Sequence, residues 1–167
     1  ALTSGTSQGL LLAFNVGAIL IVFTGLVGLG NFILGDFIAK PLGIVDWLGI
    51  SEPSITLEFL FGWVFSPVAW LIGVPVEDIR LIGQLLGEKL VLNEFVAYAH
   101  LGEFKDAGLL LNERSIVLAS YALCGFANFA SVGIQVAGIA ILSPVQRPNL
   151  TRLGWRALLG GTFACLL

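Results

Sequence analysis

Long uncharged runs divided by short charged stretches set the pattern of this chain. No charged residue occurs from Ala1 to Gly35. The core of that run, about Leu10 to Leu34, exceeds the ~20 residues a helix needs to cross a bilayer, so it predicts a first transmembrane span. Asp36, Lys40, Pro41, Asp46, Glu52 and Pro53, with Trp47 among them, then mark an interfacial connection. Between Glu58 and Glu77 lie 18 uncharged residues, FLFGWVFSPVAWLIGVPV. Pro67 sits mid-run with Trp63 and Trp70 on either side. This segment, about 57–76, is therefore expected as an interfacial or broken helix near one membrane face.

Asp78 to Phe104 is apolar but interrupted by Arg80, Glu88, Lys89, Glu94 and His100. A centrally placed charge facing lipid costs ~2.5 to 3.5 kcal/mol, so protein must shelter this stretch. Two helical halves, about 77–92 and 95–103, meeting at Asn93-Glu94 give a re-entrant hairpin over about 77–103. Such backbone is tolerated at membrane depth only against protein or a polar cavity. Ser115 to Gln146 is again uncharged for 32 residues. It predicts a span over about 115–142, broken at CGFANFAS, where Gly125 and Asn128 interrupt the apolar run. Another span starts near Trp155 and runs, truncated, to Leu167. Arg147, Arg152 and Arg156 stand in Ser143–Arg156 with no acidic residue. The positive-inside rule puts that loop in the cytoplasm; if Ser115 to Leu142 spans once, Gly102–Arg114 is then outside and the hairpin enters from that outer face. The fold class is all-α integral membrane, one domain, with no internal repeat.

Composition agrees. The chain is 57% hydrophobic and 11% charged, with a mean hydropathy of +0.96, against ~25% charged residues in a soluble domain. A net charge of −3 without like-charge runs offers nucleic acid no basic footprint. Cys124 and Cys165 lie in apolar runs and read as small packing residues, not a disulfide framework. The sequence holds no Met, and its first uncharged stretch lacks the basic n-region of a signal peptide. We expect a piece of a longer membrane protein.

Glu94 is the first candidate for chemistry, because an intramembrane carboxylate is a functional hypothesis by default. The alternatives are an ion pair with Lys89 or another helix, and a place at the water interface. Asn128 and Ser131, three apart, share a helix face, with Gly125 and Phe126 nearby. They serve equally as interhelical glue or as ligands. Together these residues form a small polar cluster in apolar walls, suited to a polar, neutral solute. A carboxylate accepts two hydrogen bonds from adjacent hydroxyls, the pattern of a vicinal diol, which points to a sugar edge. Asn93 reads as a backbone cap at the hairpin tip. His100 reads as an interfacial residue before a proton carrier, Glu88 and Lys89 as a polar hairpin face, and Arg80 as its outer anchor. Trp47, Trp63, Trp70 and Trp155 read as interface markers. No Ser-His, HExxH or Asp-Asp arrangement supports an enzyme. A structural membrane subunit, with Glu94 and Asn128 as polar contacts between helices, stays open.

The stretch GQLLGEKLVLNEFVAY, then YALCGFANFASVGI and RLGWRALLGGT, closely resembles the carboxy-terminal half of the concentrative nucleoside transporters. LLLAFNVGAILIVF and FGWVFSPVAWLIGV extend the likeness to nearly the whole chain. The resemblance implies a cation-coupled nucleoside symporter, a homotrimer with an elevator-type transport domain, multi-pass in the plasma membrane, or the inner membrane of a bacterium. It implies that Glu94 and Asn128 bond the ribose, that Ser131 adds a polar contact and that Phe126 forms apolar wall. Ala130 stands where many relatives have serine. The first hairpin and its partner helix, which contact the base and supply the cation ligands, would precede Ala1. No metal ligand or cofactor is assigned here, and sodium or proton coupling is open.

Overall fold

The computed structural model describes residues 2–43 and 55–167. Trp47 and the rest of 44–54 in the expected connection lie outside the described residues. Every element within them is helical.

Helix α1, Leu2–Asn31, runs on without a break as a π-helical segment, Phe32–Ala39. The wider turn shows in the Lys40 N–H, which donates to the Gly35 carbonyl at 3.0 Å. Gly5–Ala39 is, among the described residues, the one helix long and apolar enough to cross a membrane. It extends beyond the Leu10–Leu34 core at both ends. Leu10, Phe14, Ile21 and Phe37 on it are exposed. At the change of pitch, Asn31 ties α1 to the next helix: its Nδ2 donates to both Glu58 oxygens at 2.9 and 3.1 Å, and its Oδ1 accepts the Leu57 N–H at 2.8 Å.

Helix α2, Leu57–Leu71, starts at the capping hydroxyl of Thr56 and passes through Pro67 unbroken, where the sequence suggested a break. Proline removes one ladder donor, a loss membrane helices absorb through neighbouring groups; the Ser66 hydroxyl donates to the Gly62 carbonyl one turn earlier. Gly73, at φ +89°, stops the helix. The Val74 N–H then reaches back to the Ala69 carbonyl at 3.1 Å, a Schellman closure that ends α2 short of the expected residue 76.

After a 3₁₀ turn at Val76–Asp78 come α3, Ile79–Val91, and α4, Glu94–Asp106. Helix α3 is the centre of the structure. Its Ile82, Leu85 and Leu86 pack with Ala69 of α2, Ala97 and Leu101 of α4, and with α5, Glu113–Leu123, through Ala119, Ala122 and Leu123. Against α2 the approach is close because Gly83 and Gly87 line one face of α3: a methyl at Gly83 would come 2.8 Å from the Gly62 carbonyl oxygen, and one at Gly87 2.2 Å from Phe61 Cβ. This central position corrects the reading of Glu88 and Lys89 as the cover of a polar hairpin face, since they are 0% and 3% exposed and lie inside the helix packing.

Cys124–Asn128 separates α5 from α6, Phe129–Leu142. A 3₁₀ turn at Pro144–Gln146 leads into α7, Arg147–Leu166. The arginine-bearing stretch expected as loop is thus the first half of a helix. Pro148 sits in its first turn, where a missing N–H removes nothing from the ladder. At the far end of the hairpin, buried Asp78 accepts the Leu111 and Asn112 N–H groups at 2.9 and 3.1 Å and the Ser115 hydroxyl at 2.5 Å. One carboxylate thereby fixes the start of α3, the connection after α4 and the first turn of α5.

Candidate functional site

Two helix beginnings meet at the site. Asn93, in extended conformation, caps α4, its Oδ1 accepting the Val96 N–H at 2.9 Å, and Glu94 is the first residue of that helix. Asn128 caps α6: its Oδ1 accepts the Ser131 N–H at 2.7 Å while the Ser131 hydroxyl accepts the Asn128 N–H at 3.1 Å, a reciprocal capping box. Asn128 Nδ2 then donates to Glu94 Oε2 at 3.0 Å. The Glu94 carboxylate therefore stands at the positive end of its own helix and, through Asn128, at that of α6.

The four candidate residues are thus placed as follows. Glu94 and Asn128 are bonded to each other; Glu94 is half-buried and Asn128 1% exposed. Ser131, 4% exposed, turns inward, its hydroxyl within 2.7 Å of the Asn128 carbonyl and 3.1 Å of the Phe126 carbonyl. Phe126, in the break itself, leaves its ring exposed. Phe126 and Ser131 line a cavity of about 460 Å³ between α6 and α7, together with Leu158 and Cys165. Glu94 and Asn128 face the hairpin side of the break instead. Among the described residues Glu94 makes no ion pair, and Lys89 turns to the Ala122 carbonyl at 2.9 Å.

A second polar group, unread in the sequence, joins the hairpin arms behind the tip. Glu88 on α3 accepts from Gln84 Nε2 at 2.8 Å and lies 2.7 Å from Nδ1 of His100 on α4. His100 also stacks on Phe104. It therefore bridges two helices while its side chain stays partly exposed. Gln84 and Glu88, four apart on one helix face, carried a readable signal; the partnership with His100 did not. Arg80 lies over the Phe59 and Trp63 rings at 5.4 and 5.3 Å, anchoring α3 on α2.

Residues 1–167 match the family described as Na+ dependent nucleoside transporter C-terminus. The chain is 43% identical to an uncharacterized transporter, YutK, of Bacillus subtilis (strain 168), covering all of this chain and 38% of that protein. To sodium/nucleoside cotransporter 1 of Rattus norvegicus it is 35% identical, covering 99% of this chain and 28% of that protein. Among solved structures, CNTnw in an inward-facing substrate-bound state matches with a TM-score of 0.79 at 37% identity, over 98% of this chain and 38% of that one. The chain thus spans well under half the length of these relatives. By sequence along its whole length, and by fold, it belongs to the family of the Na+-dependent nucleoside transporter C-terminal region.

Proposed function

We propose that this chain supplies the ribose-binding portion of a nucleoside symporter, multi-pass in the plasma membrane or in a bacterial inner membrane. In this reading α3 and α4 form a re-entrant hairpin, and α5 and α6 the broken helix facing its tip, within an elevator-type transport domain of a homotrimer. The coupling cation, sodium or proton, is held by the rest of the protein. The observation that carries the proposal is the Glu94–Asn128 hydrogen bond at the meeting of two helix N-termini. One oxygen of Glu94 is engaged there, and the other keeps both lone pairs for adjacent hydroxyls of a ribose. Asn128 retains a second N–H for the sugar. Ser131 fixes the Asn128 amide through the capping box, and its hydroxyl and the exposed Phe126 ring border the break from its α6–α7 side, as polar contact and apolar wall.

The test is uptake of radiolabelled uridine by the full-length protein carrying this chain, with Glu94→Gln beside it and with sodium replaced or pH varied. Two hydrogen bonds to a charged acceptor, at ~1.5–3 kcal/mol each, predict at least a ~100-fold loss in Glu94→Gln at limiting uridine. Unchanged uptake at limiting and saturating uridine overturns the reading. The same hydrogen bond also favours a second reading, in which Glu94 and Asn128 only lock α4 to α6. That reading has Glu94→Gln lower the melting temperature and uridine leave it unmoved. Ribose binding has uridine raise the melting temperature of the unsubstituted protein and not that of Glu94→Gln.

A further inference from the structure

Lys89 is buried at the end of α3, and its Nζ reaches the Ala122 carbonyl, 33 residues away, at 2.9 Å. Ala122 lies in the last turn of α5, where carbonyls have no partner within the helix and carry its negative end. A methyl at Gly125 would lie 3.7 Å from the same nitrogen, so the ammonium sits against the break itself. Among the described residues no carboxylate stands within ion-pair distance: neighbouring Glu88 turns to Gln84 and His100, and Glu94 bonds Asn128. The counter-charge of Lys89 is the end of a helix.

Broken helices in transporters use their two ends differently: N-termini face anionic groups, and the carbonyls of C-terminal ends coordinate the coupling cation. Here both ends of one broken helix are met from the hairpin by the charge each favours. Lys89 meets the C-terminal end of α5, and Glu94, through Asn128, meets the N-terminal end of α6. We propose that Lys89 is a tethered cation at the α5–α6 break. It occupies the place a solution cation would take and positions Asn128 for the sugar. Lys89 touches no substrate in this account; it acts through the backbone of Ala122–Asn128, and so rests on the reading of Glu94 and Asn128 as ribose ligands.

A cavity of about 180 Å³ adjoins Lys89, lined also by Phe65, Ala127 and Leu166, which gives a small amine room to replace a truncated side chain. The experiment uses the full-length protein in proteoliposomes, with Lys89→Ala and Glu94→Gln measured together for uridine uptake, with and without methylammonium. Lys89→Ala is expected to raise the uridine KM by at least about tenfold. Methylammonium should lower it again, choline should not, and neither should change the unsubstituted protein. A structural role alone would not respond to the added amine. An unchanged KM overturns the proposal, as does a raised KM that methylammonium leaves in place. If Lys89→Ala does not reach the membrane, Lys89→Met keeps the volume of the stem: a raised KM at an unchanged melting temperature supports the proposal, and an unchanged KM overturns it. If Glu94→Gln abolishes uptake and Lys89→Ala is silent, only the tethered cation fails. If Glu94→Gln is silent, the ribose reading has failed first.

Discussion

Gly125 shows what the sequence reveals about a single residue and what it hides. As glycine in an apolar run it marks a weak point in a helix, and the break is there. Yet its φ is not positive, so glycine is not required by backbone conformation. The requirement is space: a Cβ at this position would lie 1.7 Å from Cys165 Sγ and 3.3 Å from Cys165 Cβ. Gly125→Ala should therefore destabilise the protein by overpacking, by ~1–3 kcal/mol. Cys165→Ala removes the offending sulfur, so the double variant should recover most of that loss. Thermal unfolding of the four proteins in detergent measures the coupling, and additive losses would show that the clash lies elsewhere. Asn128 and Ser131 carry a similar lesson. Their spacing of three predicts a shared helix face, and it is also the spacing of a capping box. Glu94 was legible because a carboxylate is expensive in an apolar run. The acceptor of Lys89 was not, because a backbone carbonyl has no sequence signature.

Helix ends were the least readable feature of the elements, for reasons specific to each. The apolar run of α2 continues past Leu71, and only the positive φ of Gly73 closes it. Arg147, Arg152 and Arg156 resemble a loop by charge, while Pro148 was the overlooked sign of a helix start. The spacing of Gly83 and Gly87 is the small-residue pattern of a close helix crossing, present in GQLLG and unread there. Asp78 gives the elements their order at the end of the hairpin away from its tip, because its three bonds join α3, the 107–112 connection and α5. Hydrogen bonds to a charged group contribute ~1.5–3 kcal/mol each, and partial access of water to the connection reduces the total. Asp78→Ala should lower stability by ~3 kcal/mol and Asp78→Asn by less. Hydrogen exchange should quicken at the amides of Leu111 and Asn112 while the amides of α3 between Ile82 and Leu86 stay protected. Equal loosening of both regions would mean that Asp78 supports the core generally and is not a local clamp.

For the whole molecule, one buried helix organises a largely outward-facing apolar surface. Helix α3 is enclosed, whereas Leu10 and Phe14 of α1, Trp63 and Trp70 of α2, and Trp155 and Phe163 of α7 are exposed. Such a surface is stable only against lipid or further protein. The exposed charges predict which way it faces. The start of α7 exposes Arg147, Arg152 and Arg156 and no acid, whereas the end of α4 exposes Glu103 and Asp106 beside Lys105. The positive-inside rule predicts a cytoplasmic place for the first group. Between the two groups lie α5 and α6, so the pair crosses the membrane once if they stand on opposite sides. Single cysteines at Lys105→Cys and Asn149→Cys, both exposed positions, test this in a full-length background without other cysteines. An impermeant maleimide added to intact cells should label Lys105→Cys alone and reach Asn149→Cys only after permeabilisation. Labelling of both from outside would deny that α5–α6 crosses. The reverse pattern would invert the hairpin and have Glu94 approached from the cytoplasmic face.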